Sequence, residues 1–140
     1  MADKVCTDVP ITRLDTGGEI PRVRNDVDYT HVDKVWGSEL WIINTPLYCG
    51  KILTIGKNHH TSMHFHPEKH ETMFCVQGEF RIDFFDKNGD IVSRSLKVSE
   101  SIVIPPSLPH SIVGVETSNS LIEFSTQHFD HDSVRVGKPG

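Results

Sequence analysis

Long apolar runs are missing from this chain of 140 residues. Its longest apolar stretches are only a few residues, whereas a membrane-spanning helix needs about 20. The opening Met1-Ala2-Asp3-Lys4 also lacks the apolar core of a secretory signal peptide. We therefore expect a cytoplasmic protein with no membrane partner.

Cysteine and excess positive charge are scarce as well. The three cysteines, Cys6, Cys49 and Cys75, are odd in number and irregularly spaced, which predicts reduced thiols rather than a disulfide framework. The 14 Lys and Arg residues are scattered singly and outnumbered by 19 Asp and Glu residues. Because no basic stripe forms, we expect no nucleic-acid partner.

Short β-like runs separated by turn signals fill most of the chain. No helical apolar period is sustained over about 11 residues, so long helices are not expected. Asn88-Gly89 predicts a hairpin turn that needs positive φ, and Gln77-Gly78 predicts another tight turn. This pattern predicts an all-β sandwich or barrel at 35–128, after a polar arm at 1–34 and before a tail at 129–140. The predicted strands are 39–44, 50–55, 62–66, 71–77, 79–86, 91–98, 101–104, 111–115 and 121–126.

Histidines and carboxylates are concentrated in the segment 64–71, His-Phe-His-Pro-Glu-Lys-His-Glu. Alternate residues of a strand share one face, so His64 and His66 can both place a nitrogen about 2.0–2.2 Å from one ion. After the bend at Pro67, Glu71 can return a carboxylate to the same point. His70 neighbours Glu71 and is expected to face the opposite side. The segment predicts a metal site.

A further histidine, His110, follows a proline-rich turn and begins a strand. Together the two segments resemble the two motifs of the cupin superfamily. The first motif, G-x(5–7)-H-x-H-x(3,4)-E-x(6)-G, is matched by Gly56, His64, His66, Glu71 and Gly78.

The second cupin motif, G-x(5)-P-x-G-x(2)-H-x(3)-N, is matched at Pro105 and His110. Ser99, Ser107 and Gly114 stand where the family usually has Gly, Gly and Asn. None of these three is a ligand position. The resemblance implies a single-domain cupin, a double-stranded β-helix or jelly-roll barrel. It also implies one divalent metal ion (Zn, Mn, Fe, Ni or Co) on His64, His66, Glu71 and His110.

The remaining six histidines occupy no ligand position of the motifs and are interpreted as surface or loop residues, with His70 as either a surface residue or a group that contacts a ligand. They are His31, His59, His60, His70, His128 and His131.

Strand parity suggests what lines the pocket. If Glu71 points inward, Met73 and Cys75 share its face and line the cavity. Glu123 alternates with Ile122 and Phe124, so it is either a pocket wall or an outward charge.

An apolar surface is expected on the outside of the barrel. Phe74, Phe80, Ile82 and Phe84 supply more apolar area than a small barrel needs inside, which predicts a homodimer with that face or the N-terminal arm in the contact.

Two short stretches bear on function. The stretch 34–39, Lys-Val-Trp-Gly-Ser-Glu, is similar to the Pro-Trp-Gly-x-Glu stretch of cupins that resemble mannose-6-phosphate isomerase, with Val35 in place of proline. The end of the chain at 125–136 is similar to the endings of those same cupins. The resemblance implies a carbohydrate as the small-molecule partner.

The leading hypothesis is a metal-dependent isomerase or epimerase for a small sugar or sugar phosphate, with Glu123 as the catalytic base. His70 and Lys51 are other candidates for that base. The same ligand set suits an iron(II)- and dioxygen-dependent dioxygenase, and a non-catalytic sugar-binding cupin is a third reading.

Overall fold

The structure is a computed structural model that describes Asp8 and residues 18–137. Residues 1–7 and 9–17 of the predicted arm, including Cys6, lie outside the described residues, as do residues 138–140 of the predicted tail. Between 18 and 137 the helical segments are two single 3₁₀ turns, Asp26–Asp28 and Asp130–Asp132. No helix in this range is long and apolar enough to cross a lipid bilayer.

Eleven strands are found in the described part of the chain. They are β1 (Thr30–Lys34), β2 (Gly37–Asn44), β3 (Cys49–Ile55), β4 (His64–Phe65), β5 (Glu71–Gln77), β6 (Glu79–Phe85), β7 (Ile91–Lys97), β8 (Ser101–Ile104), β9 (His110–Gly114), β10 (Ser120–Ser125) and β11 (Val134–Arg135).

The strands form two antiparallel sheets. The larger has six strands in the order β1-β2-β3-β10-β5-β8, and the smaller has five in the order β11-β4-β9-β6-β7. Consecutive strands alternate between sheets along much of the chain, which is the arrangement of a jelly-roll barrel. The predicted all-β jelly-roll barrel is confirmed.

The apolar core lies between the two sheets. Alternate residues of β3, β5 and β10 face inward from the larger sheet and meet alternate residues of β6 and β9 from the smaller sheet. The fully buried core side chains include Ile55, Cys75, Phe80, Ile82 and Leu121. This packing fixes which face of each strand points inward toward the site.

The sheets reach into both ends of the described chain. Strand β1, in the segment predicted as an arm, pairs with β2 along its whole length. Strand β11, in the segment predicted as a tail, pairs with β4. The predicted strand at 62–66 is limited to His64–Phe65, because the chain bends at Pro67 and the carbonyl of His66 instead accepts from the N–H of Ser107 (2.7 Å).

Three positions of the two motifs, Gly78, Ser99 and Ser107, lie in turns with positive φ. Gly78 has φ +76°, and a Cβ there would approach the carbonyl oxygen of Ser118 to 2.3 Å, so no side chain fits. Ser99 and Ser107 also have positive φ, +69° and +68°. The backbone at both positions therefore has the left-handed conformation that favours glycine, and serine carries some strain there.

The predicted β6–β7 hairpin is present, with Gly89 at φ +80°. Asn88 keeps a negative φ, because the turn spans 86–90 and Gly89 alone supplies the left-handed residue.

The apolar residues behind the homodimer prediction do not form one outer face. Phe80 and Ile82 are fully buried in the core, and Phe84 packs against it. Phe74 is half-buried on the other face of its strand, in the other sheet. Alternation shows that residues share a face but not which face is inside, so that argument for a dimer was wrong.

Candidate metal centre and its cavity

A cavity of about 740 Å³ lies between the two sheets, in the range of small-molecule sites. His64, His66 and His110 line it from the side of the smaller sheet, and Lys51 and Glu123 line it from the larger sheet. Both sheets therefore contribute polar side chains to one cavity.

Backbone carbonyls orient the three histidines. Nδ1 of His64 donates to the carbonyl of Ser62 (2.8 Å), and Nδ1 of His110 donates to that of Leu108 (2.8 Å). Nδ1 of His66 donates to the carbonyl of Asp132 (2.7 Å). A carbonyl oxygen only accepts, so each Nδ1 carries the proton and each Nε2 keeps a free lone pair.

The three imidazoles converge on one point. His64 and His110 are direct partners across β4 and β9, and one ring nitrogen from each of the three histidines lies within 4.8 Å of the others. Burial lowers the pKa of His64 and that of His66 to about 4. Both rings are therefore neutral at neutral pH, the form that binds metals.

Glu71, on the larger sheet, approaches one of the three histidines, His110. Its Oε1 lies 2.9 Å from Nε2 of His110, but neither oxygen of Glu71 nor Nε2 of His110 makes an aligned hydrogen bond. Burial opposes ionisation of both groups, yet their mutual attraction prevails, lowering the pKa of Glu71 and raising that of His110. Buried acceptor atoms without donors are costly.

A divalent cation fits this arrangement because it satisfies the orphaned atoms. Three imidazoles and one carboxylate form a donor set suited to Zn, Mn, Fe, Ni or Co. The residues thus fit the metal that the fold family implies.

Glu123 faces the cavity, which answers the question left open by strand parity. It lies on the same inward face of β10 as the core residue Leu121 and is 6% exposed. Its Oε2 has no hydrogen-bond partner and lies 3.8 Å from Nζ of Lys69. Burial, followed by repulsion from Glu71, raises the pKa of Glu123.

Met73 and Cys75, the two expected pocket residues, lie in different surroundings. Met73 lines the cavity, but Cys75 lies in the apolar core. The Cys75 thiol is directed to the carbonyls of Gln77 (3.5 Å) and Gly78 (3.7 Å). Parity gave the correct face for Cys75, but two more residues along the strand carry it beyond the cavity.

A second polar cluster, missed by the motif analysis, lies beside the four proposed ligands. Lys51 and Lys69 are each 3% exposed, and both ammonium groups approach Nδ1 of His128. Trp41 packs against His128 with ring centroids 4.7 Å apart. The sequence did contain a signal for Lys51. It lies on the face of β3 that otherwise carries buried apolar residues, and a lysine is rarely buried unless it is paired.

Asp132 was also missed, because it lies far from the motifs in sequence. Its carboxylate accepts from the N–H groups of Glu68 (2.9 Å) and Lys69 (2.9 Å), and its carbonyl holds His66. It is 2% exposed. Asp132 therefore fixes both the His66 ring and the loop that carries Lys69.

The other six histidines are either exposed or line the cavity. His31, His59, His70 and His131 are exposed, and His31 forms an ion pair with Asp26. His60, interpreted as a loop residue, contributes to the cavity wall. His128 lies further inside the same cavity.

Comparisons with known proteins place the chain in a family. Residues 49–137, more than half of the chain, match the family described as "Cupin". No curated protein matches the chain.

Solved structures share the fold. The capsular polysaccharide assembling protein CapF from Staphylococcus aureus is 22% identical with a TM-score of 0.70, over 77% of this chain and 31% of CapF. Oxalate decarboxylase from Bacillus subtilis is 14% identical with a TM-score of 0.71, over 84% of this chain and 34% of the decarboxylase. KdgF from Halomonas sp. is 17% identical with a TM-score of 0.66, over 80% of this chain and 98% of KdgF. The chain spans about a third of the first two proteins, and these identities show similarity of fold.

Proposed function

The chain belongs to the cupin family, and from this premise we propose that it is a metal-dependent enzyme that isomerises or epimerises a small sugar or sugar phosphate. The observation that carries the proposal is the cluster of His64, His66 and His110 in a cavity of about 740 Å³, with Glu71 2.9 Å from Nε2 of His110 and Glu123 on the cavity wall. Such a volume accommodates a monosaccharide or its phosphate.

A bound divalent ion would supply Lewis-acid polarisation of a sugar carbonyl and its neighbouring hydroxyl. Glu123 is the proposed base, because its free oxygen lies next to the four proposed ligands. In an aldose–ketose conversion Glu123 takes the proton from C2 and returns it to C1, while the hydroxyl proton passes between the two oxygens. The ammonium group of Lys69, 3.8 Å away, balances the charge of this carboxylate.

The surroundings of the site support a carbohydrate. Trp36 and Trp41 both line the cavity, and aromatic faces pack well against the apolar face of a sugar ring. CapF, whose name refers to capsular polysaccharide, shares the fold.

The test is Glu123→Gln, which keeps the shape of the side chain but removes the base. On a panel of aldoses in deuterated water, the native chain should form ketose and incorporate deuterium at the transferred position, as followed by NMR. The variant should bind the same amount of metal but lose about 100-fold or more in rate. Glu116→Gln, an exposed change in a turn, is the matched control and should behave as the native chain does.

Two outcomes would overturn this function. Dioxygen consumption without ketose formation would support the dioxygenase, and sugar binding without conversion or deuterium exchange would support a sugar-binding module.

We also propose a homodimer, through the outer face of the larger sheet. Leu40, Ile52, Ile122 and Phe74 lie in one row across β2, β3, β10 and β5. Phe124, two residues from Ile122 on the same face, is 54% exposed. Apolar rows of this extent on an exposed sheet face are typical of interfaces.

A further inference from the structure

We propose that Lys51, Lys69 and His128 form a binding subsite for an anionic group of the substrate, a carboxylate or a phosphate. The proposal rests on the proposed function, since it names a chemical feature of the substrate taken by the same cavity. Neutral aldoses would then be poorer ligands than sugar acids or sugar phosphates.

The two lysines compete for one acceptor. Nζ of Lys51 lies 3.1 Å from Nδ1 of His128, and Nζ of Lys69 lies 3.2 Å from the same atom. Nε2 of His128 lies 3.0 Å from Oδ1 of Asp130, which only accepts, so Nε2 carries the proton and Nδ1 has one lone pair. One lone pair cannot satisfy two ammonium groups.

The carboxylates nearby do not fill this deficit. The nearest carboxylate oxygen to Lys51 is on Glu39 at 3.6 Å, and the nearest to Lys69 is on Glu123 at 3.8 Å. Glu71 lies at 3.9 Å from Lys69. Each ammonium group has three N–H donors, so most of these donors lack a direct acceptor while both lysines line the cavity.

Charge balance also favours an anion at this point. The cavity is lined by four cationic side chains, Lys34, Lys51, Lys69 and Arg135, and by four carboxylates, Asp33, Glu39, Glu123 and Asp130, and Glu71 beside it adds one negative charge. When Glu71 shares its charge with a divalent cation, the cavity gains two positive charges and becomes net positive. A buried ammonium group is costly unless it is directly hydrogen-bonded to an opposite charge, and an oxyanion between the two lysines would supply that bond.

The walls of the subsite suit a small ligand that carries this charge. Nζ of Lys51 lies 4.1 Å from the centroid of the Trp41 ring, which holds the lysine over an aromatic face. Nε1 of Trp41 donates to Oε1 of Glu39 (2.8 Å) and so fixes the ring. A sugar ring beside Trp41 can present its anionic group to Lys51 and Lys69.

The experiment measures binding of inorganic phosphate and of acetate to the metal-loaded full chain, by calorimetry at constant ionic strength set with chloride. Phosphate represents a sugar phosphate, and acetate represents a sugar acid. We expect one of them to bind at one site per chain, and Lys51→Met to weaken it about tenfold or more. Lys51→Arg should retain binding, and Lys87→Met, an exposed change of the same charge, should leave it unchanged. Lys51 is varied rather than Lys69 because Lys69 approaches Glu71.

Binding of neither anion would overturn the subsite. Equal binding by the native chain and Lys51→Met would also overturn it, since the anion would then contact only the metal. Metal content and circular dichroism are recorded for every variant, so a fold defect is recognised. Turnover of neutral aldoses is measured separately: if it persists without anion binding, the subsite is wrong and the proposed function stands. If anions bind and no sugar is converted, the proposed function is wrong and the anion subsite stands.

Discussion

The inner face of the larger sheet carries apolar side chains in one row and charged side chains in the next row, two residues further along each strand. In one row, Leu53, Leu121 and Cys75 lie side by side across β3, β10 and β5. In the next row, two residues along each strand, Lys51 lies beside Glu123. The first row lies in the apolar core, although Leu53 also lines the cavity, and in the second row Lys51, Glu123 and Met73 line the cavity.

The difference shows how a site is built on this fold. The backbone pairing is the same in both rows, so the strands position charged side chains as rigidly as apolar ones. The apolar row has its contacts satisfied, whereas the adjoining polar rows leave oxygens of Glu71 and Glu123 without donors. Such orphaned atoms are expected where a ligand completes the structure.

The largest expected effect on folding comes from the apolar row. Leu121→Ala should lower the free energy of unfolding by about 2–5 kcal/mol, because it leaves a void between the sheets. Metal bound per folded chain should stay as in the native protein. Urea denaturation and metal analysis check both, and Ile122→Ala, on the half-buried outer face, is the matched control with a smaller loss. A loss of metal without a loss of stability would mean that the two rows are not independent.

The next largest expected effect is on metal affinity and comes from Glu71. Glu71→Gln keeps the side-chain shape but removes the charge, so metal affinity should fall by about 10–100-fold or more. Glu68→Gln, whose side chain is exposed, should change affinity only a few-fold. Competition with a chelator measures both constants. If Glu68→Gln strips the metal and Glu71→Gln retains it, Glu71 is not a ligand.

Part of the candidate site could be predicted from the sequence. His64, His66 and Glu71 lie within eight residues, and strand spacing alone indicates that they can share a point. His110 required the resemblance to the second motif, since it lies 39 positions beyond Glu71. The structure places the three histidines together and Glu71 against His110, and their role as metal ligands is a proposal.

Other parts of the site depend on pairing that no local pattern contains. Lys69 and His128 meet only because the end of the chain returns to the cavity, and Asp132 reaches His66 by the same route. Cys75 was placed in the pocket because parity gives the face but not the depth along the strand. Phe80 and Ile82 were read as outward for a related reason: alternation does not say which face is covered.

The smallest expected effect on the fold concerns the outer face of the same sheet. Phe124→Asp places a charge on the proposed interface, and sedimentation should show a dimer for the native chain and a monomer for the variant, with the unfolding free energy of each chain little changed. Ile91→Asp, an exposed apolar change in the smaller sheet, should remain dimeric. A native chain that sediments as a monomer at micromolar concentration would contradict the dimer.

The most direct measurement is the metal content of protein purified without a chelating tag and then dialysed in turn against Zn, Mn, Fe, Ni and Co. The native chain should hold about one divalent ion, and His64→Ala combined with His66→Ala should hold about none, because two of four ligands are gone. His70→Ala, exposed and next to Glu71, should match the native value. Native protein that takes up no ion, or a double variant that keeps its full metal content, would contradict the proposed centre.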